Sequence, residues 1–295
     1  MSILIDKATR VVIVGITGKF GSFSLKDIPE AGTKVVAGVA PSHAGQAIQD
    51  VPVFATMAEA LRETDANAAL IYVPAIAALD AVLEAIEAGC PVIAYPGDGL
   101  PVNDAIELRA AAKANGVRLV GPNTPGLISP GKAKLGFMPT FCFKPGPIGL
   151  ISRSGSLSYE CAFRLSNAGL GQTTAIGIGG DPIRGTNAAE AIELFDKDPE
   201  TKAIVYLGEI GGTEEYALAE YARQRGSKPV AAMLVGRTAP VGKKMGHAAA
   251  LIGTYAESWT AKVEALEAAG VRVARSLEQL PIAAHDAINS VLSAA

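Results

Sequence analysis

Residues 10–22 read RVVIVGITGKFGS, an apolar run that leads directly into a glycine-rich turn. A short run without polar residues is typical of a strand that is buried on both faces of a parallel sheet. The turn has glycines at positions 15, 18 and 21, and we expect a helix to begin near Phe23. The stretch therefore predicts a strand–turn–helix unit of an α/β fold.

The same alternation of apolar strands and helices recurs along the whole chain. In the first half, further strands are predicted at residues 34–39, 68–73, 91–94 and 118–120, with helices at residues 77–88 and 102–115. In the second half, strands are predicted at residues 148–152, 174–178, 203–207, 229–235 and 271–274, with helices at residues 156–168, 187–195, 213–225, 260–269 and 280–292. This pattern predicts two open, doubly wound α/β sheets.

The boundary between the two sheets is predicted from a change of composition. Residues 123–147 are rich in proline and glycine, which favours a crossing linker over another helix. A chain of 295 residues is also longer than most single cores. We expect a first domain at residues 1–125, a linker at residues 126–147 and a second domain at residues 148–295.

Composition excludes several classes of function. The chain has 26 Lys and Arg residues against 29 Asp and Glu residues, and the basic residues are scattered, so we expect no nucleic-acid partner. No apolar segment approaches the roughly 20 residues that span a bilayer, so no membrane partner is expected. Three cysteines without paired spacing, and no apparent signal peptide, favour the cytoplasm.

The first glycine turn has the composition of a phosphate-binding loop that opens a helix. A dinucleotide site would also need a carboxylate near the end of the second strand, and residues 38–43 contain none. NAD is therefore disfavoured. The alternative is that these glycines serve only a tight turn.

Polar and glycine-rich loops follow several strands of the second half, where the carboxyl ends of parallel strands line a crevice. Ser154, Gly155 and Ser156 open a helix and form a candidate anion site, although ordinary N-capping explains such serines equally well. Glu209 follows another strand and is a candidate hydrogen-bond acceptor for an imidazole, or else a solvated loop carboxylate.

The stretch at residues 236–253, GRTAPVGKKMGHAAALIG, holds His247 between a basic glycine loop and small residues. No cysteine or carboxylate lies there at metal-ligand spacing, which favours a nucleophile over a metal ligand, and we predict no metal site. A structural histidine remains the alternative. We expect the His247 loop to converge with the strand-end loops.

These motifs, taken in order, resemble the succinyl-CoA synthetase α-subunit family, with its malate–CoA ligase and ATP citrate lyase relatives. The resemblance extends from Met1 to about Leu277. It is carried by the segments MSILIDK, GITGKFGS, GPNTPGLISPG, ISRSGSLSYE, GIGGDPI, DPETKAIV, GEIGG and TAPVGKKMGHA.

The resemblance implies a Rossmann-like CoA-binding domain followed by a flavodoxin-like ligase domain. It implies an ATP-grasp β subunit, in an αβ or α2β2 assembly, that binds ATP or GTP with Mg²⁺. The implied reaction joins a small carboxylic acid to coenzyme A through a phosphohistidine and an acyl phosphate. A non-catalytic CoA-binding regulatory protein is the alternative from another class.

By the same resemblance, His247 is the phosphorylated residue, Glu209 orients its imidazole, and Ser154, Gly155 and Ser156 hold the phosphohistidine. The implied CoA contacts are Thr17, Gly18, Lys19, Phe20, His43, Pro96, Gly97 and Asp98. The implied substrate contacts are Asn123, Thr124, Pro125, Gly126, Tyr159 and Arg237; Tyr159 also lies toward the β subunit.

The chain departs from the family pattern at several of these positions. His43 replaces a lysine that contacts CoA, and Asp98 replaces a glutamate. Thr124 stands in place of a cysteine and Arg237 in place of a small residue. Because a guanidinium and a hydroxyl pair with polar substituents, Arg237 and Thr124 suggest an acid other than succinate, such as malate, sulfoacetate or citrate.

Overall fold

The computed structural model describes residues 2–224 and 227–292. The remaining residues, among them Arg225 at the predicted end of a helix and the last three residues of the predicted second domain, lie outside the described part. The chain forms two compact units. The N-terminal unit comprises Leu4–Met138 with Ile183–Thr186, and the C-terminal unit comprises Pro139–Pro182 and the chain from residue 187 onward, with the residues before Leu4.

The N-terminal unit is built on a sheet with the strand order β3-β4-β2-β1-β5-β6-β7. Its strands are β1 Arg10–Val14, β2 Lys34–Val39, β3 Ala47–Ile48, β4 Val51–Phe54, β5 Ala68–Ile71, β6 Val92–Ala94 and β7 Arg118–Val120. Its helices are α1 Lys19–Glu30, α2 Met57–Glu63, α3 Ala78–Glu87 and α4 Val102–Ala114. Only the β3–β4 pair is antiparallel, and the parallel strands follow the Rossmann order.

The first strand and turn explain why this sheet forms. Val11 to Val14 are buried, as expected for a central parallel strand. Gly15 has φ +78°, and a Cβ there would lie 2.5 Å from the carbonyl oxygen of Tyr72. A Cβ on Gly21 would lie 2.5 Å from the carbonyl oxygen of Gly15. Helix α1 begins at Lys19, ahead of the predicted start near Phe23. Gly21 is therefore a residue of the helix, and its lack of a side chain lets the first helical turn pack against the glycine turn.

A β-hairpin lies within the stretch predicted as a linker. Strands β8 Gly126–Ser129 and β9 Ala133–Gly136 are antiparallel. A Cβ on Gly126 would lie 2.0 Å from the carbonyl oxygen of Leu135. The glycines that suggested a linker therefore permit close backbone approach within the hairpin.

The C-terminal unit contains a parallel sheet with the strand order β14-β13-β12-β10-β11. Its strands are β10 Pro145–Ser152, β11 Gln172–Gly177, β12 Ala203–Glu209, β13 Val230–Val235 and β14 Arg272–Ala274. Its helices are α5 Gly155–Asn167, α6 Ala188–Lys197, α7 Glu214–Arg223, α8 Trp259–Ala268 and α9 Leu280–Leu292. Counted along the unit, this is the flavodoxin order 2-1-3-4-5. The predicted α/β fold class is confirmed.

Strand register in the C-terminal unit brings the candidate loops to one edge. Ser152 at the end of β10 pairs with Gly177 at the end of β11 and with Leu207 in β12. Arg153, Gly180 and Glu209 follow these positions within a few residues. Among the described residues, no helix is both long enough and apolar enough to cross a membrane.

Candidate active site

His247 and Glu209 meet at the carboxyl edge of the C-terminal sheet. Nδ1 of His247 lies 2.8 Å from Oε2 of Glu209, although the residues are 38 positions apart. Glu209 ends the buried strand β12 and its side chain is 7% exposed, whereas that of His247 is 29% exposed. A carboxylate accepts the proton of Nδ1, and this leaves Nε2 as the basic nitrogen of the neutral ring.

The surroundings favour the protonated form of His247. The hydrogen bond to Glu209 raises the pKa of His247 above its ordinary value of 6.5, against the opposing effects of burial and of the Arg153 charge. Asp181 also raises this pKa through its charge. The histidine therefore titrates above 6.5, and its neutral, nucleophilic form is favoured by higher pH.

Gly180 forms the wall against which the imidazole packs. A Cβ built on Gly180 would lie 2.6 Å from Cγ, 2.7 Å from Cδ2 and 2.8 Å from Nδ1 of His247. These distances are far shorter than the usual carbon–carbon contact of about 3.5–4.0 Å. Only glycine at position 180 leaves room for the ring in this position.

Arg153 contacts the other oxygen of the Glu209 carboxylate and was not predicted from the sequence. Its Nη2 lies 3.0 Å from Oε1 of Glu209, and its side chain is 1% exposed. Its backbone N–H donates to the carbonyl of Leu207 at 3.0 Å. Of the loops expected to converge, those after β11 and β12 contact His247 through Gly180 and Glu209, and Arg153 after β10 contacts Glu209.

Ser154, Gly155 and Ser156 open helix α5 as predicted. Ser154 is the N-cap, and its Oγ accepts from the N–H of Leu157 at 3.4 Å. Ser154 therefore has the ordinary N-capping role that was the alternative to an anion site. Gly155 is partly exposed and Ser156 is exposed. The first turn of a helix also directs backbone N–H groups outward, which suits an anion.

The N-terminal unit contains a cavity of about 380 Å³ that includes four of the predicted CoA residues. Phe20, Pro96, Gly97 and Asp98 line it, together with Tyr72, residues 73–75, Tyr95 and Phe137. Phe20, Tyr72 and Phe137 pack against one another, with ring centroids 5.1 to 6.1 Å apart. Tyr72 and Phe137 were not predicted, because they are distant from Phe20 along the chain and no local pattern marks them.

The other predicted CoA residues are not among those that line this cavity. Thr17, Gly18 and Lys19 are exposed at the start of helix α1, and Gly18 is its N-cap. His43 lies in the turn after β2, with Nδ1 2.9 Å from Oγ of Ser42.

Asn123, Thr124, Pro125 and Gly126 form the turn into β8. The N–H of Asn123 donates to the carbonyl of Gly97 at 2.8 Å, so this turn lies beside the predicted CoA loop. Thr124, Pro125 and Gly126 are buried, and Oγ1 of Thr124 accepts from the N–H of Gly126 at 2.9 Å. The Thr124 hydroxyl thus has a structural contact of its own.

Tyr159 and Arg237 each pack on an aromatic ring of the C-terminal unit. The Tyr159 ring meets Phe143 edge-on at 6.5 Å, and burial raises the pKa of Tyr159. The guanidinium carbon of Arg237 lies 5.3 Å from the ring centroid of Trp259. Arg275 lies 5.0 Å from the centroid of the same ring. Arg237 therefore takes part in an Arg–Trp–Arg arrangement.

Comparison with protein families assigns a domain to each half of the chain. Residues 6–95 match the family model described as CoA binding domain, and residues 151–284 match the one described as CoA-ligase. The α subunit of an ADP-forming succinate–CoA ligase from Aquifex aeolicus is 51% identical over 92% of this chain and 90% of its own length. An α subunit of the same description from Archaeoglobus fulgidus is 49% identical over 94% of this chain and 96% of its own length.

Solved structures show the same fold at lower identity. An ATP citrate lyase from Methanothrix soehngenii, in complex with citrate and coenzyme A, matches with a TM-score of 0.90 and 23% identity over 99% of this chain. An acetyl-coenzyme A synthetase from Ca. Korarchaeum cryptofilum, in complex with phosphate and ADP, matches with a TM-score of 0.75 and 21% identity over 92% of this chain. The chain spans 51% and 59% of those two proteins.

The resemblance found in the sequence is thus confirmed across more than nine-tenths of the chain, at close to half of all positions. The first matched domain contains strands β1 to β6 of the Rossmann-like sheet, and the second contains strands β11 to β14 of the flavodoxin-like sheet. The chain belongs to the family of α subunits of ADP-forming succinate–CoA ligases.

Proposed function

We propose that this chain is the catalytic α subunit of a nucleoside-diphosphate-forming carboxylate–CoA ligase, and that His247 carries the phosphoryl group. The observation that carries the proposal is the 2.8 Å contact between Nδ1 of His247 and the Glu209 carboxylate. This contact fixes the tautomer in which Nε2 has the free lone pair. A merely structural histidine needs no such orientation.

In the proposed reaction, Nε2 of neutral His247 attacks the γ-phosphorus of a nucleoside triphosphate, and the diphosphate leaves. The Nδ1 proton stays on the ring and donates to Glu209, which stabilises the charge that develops on the imidazole. An oxygen of the acid then attacks phosphorus, releases His247 and forms an acyl phosphate. Attack on the acyl carbon by the CoA sulfur, which loses its proton, expels phosphate.

The Ser154 to Ser156 segment is proposed to bind the phosphoryl oxygens. N–H groups at a helix start stabilise an anion through both hydrogen bonds and the helix dipole. Catalysis of phosphoryl transfer depends mainly on positioning and charge neutralisation. A fixed site of this kind requires little reorganisation during the transfer.

Coenzyme A is proposed to bind the N-terminal unit. The cavity of about 380 Å³ falls within the range of roughly 300–1,000 Å³ that is usual for small-molecule sites. Its aromatic wall and Gly97 suit an apolar arm, and a Cβ at Gly97 would collide with the Tyr95 ring. Thr17 to Lys19, at the start of α1, suit the phosphates of the cofactor.

A β subunit of ATP-grasp type is proposed to supply the nucleotide site, because the two matched domains account for CoA binding and ligation and not for the nucleotide. There, Mg²⁺ would neutralise the charge of the phosphates of ATP or GTP. An αβ or α2β2 assembly in the cytoplasm is consistent with this proposal.

Succinate is the proposed acid. The relatives at 49–51% identity are named as succinate ligases. The alternative acids, malate, sulfoacetate or citrate, would use Arg237 and Thr124 as substrate groups. Arg237 instead stacks on Trp259, and Thr124 accepts a hydrogen bond from the backbone of Gly126, so both departures have a role within the chain.

The proposal is tested by measuring acyl-CoA formation with the chain and its partner subunit, ATP or GTP, CoA and a panel of small acids. We expect succinate to give the highest kcat/KM and His247→Asn to reduce turnover to background. The matched control is His285→Asn, a histidine of α9 that contacts Asn289. Binding of CoA by a wild-type complex without any turnover would favour the regulatory alternative.

A further inference from the structure

A cluster of buried charges lies behind Glu209. Arg153, Lys262 and Glu215 are each at most 1% exposed, and Tyr206 is fully buried beside them. Lys262 Nζ lies 2.6 Å from Oε2 of Glu215, and the Tyr206 hydroxyl donates to Oε1 of Glu215 at 3.2 Å. Arg153 Nη1 lies 3.8 Å from that same Oε1.

Burying such a cluster of charges in a core is energetically unfavourable compared with burying apolar side chains. Removing charges from water costs free energy that their mutual attraction only partly returns, and apolar side chains of similar size usually stabilise as well or better. The group nevertheless contains two cationic and two anionic side chains when Glu209 is included. This suggests a role beyond stability.

The two cations hold the end of strand β12 by its backbone. Lys262 Nζ donates to the carbonyls of Glu209 at 2.8 Å and Gly211 at 2.7 Å. Arg153 Nη1 also donates to the carbonyl of Gly211, at 2.9 Å. Gly211 in turn packs closely on the histidine loop, because a Cβ there would lie 1.9 Å from the carbonyl oxygen of Ala249.

Arg153 also acts on the carboxylate itself. Its Nη2 pairs with Oε1 of Glu209, so that Oε2 is the oxygen directed to Nδ1 of His247. This pairing fixes the orientation of the carboxylate, because the oxygen that is not bound by the guanidinium is left to accept from the imidazole.

We propose that Arg153, supported by Lys262 and Glu215, is a positioning residue that fixes the orientation of the Glu209 carboxylate and thereby orients His247 for phosphoryl transfer. The inference rests on the proposed function, since it assigns Arg153 a part in the phosphorylation of His247. The other charges near the pair are Asp181, which faces His247, and Glu214, which acts on Arg153.

A double-mutant cycle tests this role. With the partner subunit present, we expect Arg153→Met to slow single-turnover phosphorylation of His247 about 10- to 100-fold, the cost seen when the groups that orient metal-binding histidines are removed. In a Glu209→Gln background, the same substitution should change the rate little, because Arg153 acts through Glu209. Equal effects in both backgrounds would overturn the proposal.

The control is Lys134→Met, which removes another fully buried cation, paired with Asp27 in the N-terminal unit at 2.5 Å. It should reduce stability and leave the phosphorylation rate unchanged. Arg153→Lys provides the same comparison if Arg153→Met does not fold, because lysine keeps the charge without the forked geometry. We expect it to restore part of the rate.

A second readout does not depend on phosphoryl transfer. In ¹⁵N NMR spectra of the complex labelled at histidine, neutral His247 should carry its proton on Nδ1 in the wild type. In Arg153→Met, the tautomer population should shift toward that of Glu209→Gln. If the tautomer population shifts in Arg153→Met but the wild-type complex shows no phosphorylation of His247, the proposed function is refuted and the positioning role is retained. Phosphorylation with no shift in Arg153→Met would refute the positioning role alone.

Discussion

Substituting Gly180 with alanine perturbs the position of His247 without altering its chemistry. The new Cβ would lie 2.6 Å from Cγ and 2.7 Å from Cδ2 of the imidazole. Because carbon atoms prefer separations of about 3.5–4.0 Å, the ring must move by roughly 1 Å. The φ angle of Gly180 is outside the left-handed region, so alanine adds no backbone strain.

That movement separates the histidine from its acceptor. The Nδ1–Oε2 distance of 2.8 Å would increase toward roughly 3.5 Å, beyond normal hydrogen-bond length. A misplacement of about 1 Å in a reacting group costs roughly 100-fold in rate, or about 2.7 kcal/mol of transition-state stabilisation. Stability should change little, because the partly exposed His247 ring can move toward solvent.

The assay is the single-turnover rate at which His247 is phosphorylated in the complex with the partner subunit. Gly253→Ala is the matched control, since its Cβ would meet only the flexible end of Glu257, at 3.1 Å. We expect a loss of about 100-fold for Gly180→Ala and none for Gly253→Ala. Equal rates for the two variants would refute the proposed role of Gly180 in placing the ring.

Four further predictions concern pH, CoA and the acid. Because the hydrogen bond that His247 donates to Glu209 raises the pKa of His247, its phosphorylation rate should rise with pH through a midpoint above 6.5, and Glu209→Gln should lower that midpoint; an unchanged midpoint would contradict this. The raised pKa of His247 also stabilises the folded state. This contribution to the unfolding free energy is fully present below about pH 6.5 and is lost as pH rises through the raised pKa, so the unfolding free energies of wild type and His247→Asn should converge with increasing pH. Phe137→Ala removes a ring from the cavity wall and should weaken CoA binding about tenfold by calorimetry, whereas the exposed Phe141→Ala should not; equal affinities would argue against this cavity. Arg237→Ala should lower the unfolding free energy by about 0.5–1 kcal/mol, through the lost stacking on Trp259, and leave the ranking of acids by kcat/KM unchanged; a new ranking would make Arg237 a substrate contact.

The sequence predicted most of the repeating structure because buried parallel strands are continuous apolar runs. The runs at residues 10–15 and 203–207 correspond to β1 and β12, within one or two residues at each end. The short elements β3, β4 and α2 were not predicted. Strand β4 contains Pro52, a residue that normally argues against a strand, and α2 has only seven residues.

His247, the proposed phosphoryl carrier, and its acceptor Glu209 were predicted from strand-end loops and from the family resemblance, whereas the buried cluster was not. Lys262 lies on helix α8, 53 positions from the Glu209 carbonyl that it binds. In a sequence, such a lysine is indistinguishable from one on a solvated helix face. Only the tertiary structure reveals that Arg153 and Lys262 are both buried against Glu215.

The same limit applies to the cavity proposed to bind CoA. The glycine and proline residues that line it stand in recognisable loops, so Gly97 and Pro96 were predicted. The rings of Phe20, Tyr72 and Phe137 come from three distant segments, and no local pattern brings them together. Residues that come together only through long-range packing could therefore not be predicted from the sequence.

The central claim, that His247 carries phosphorus, is tested most directly by the position of label from γ-³²P-labelled nucleotide. The chain is incubated with its partner subunit and the nucleotide, and the labelled peptide is located by mass spectrometry. We predict acid-labile, base-stable label on His247 that is discharged by succinate and CoA, is absent in His247→Asn and persists in His285→Asn. Label that remains in His247→Asn would contradict the account.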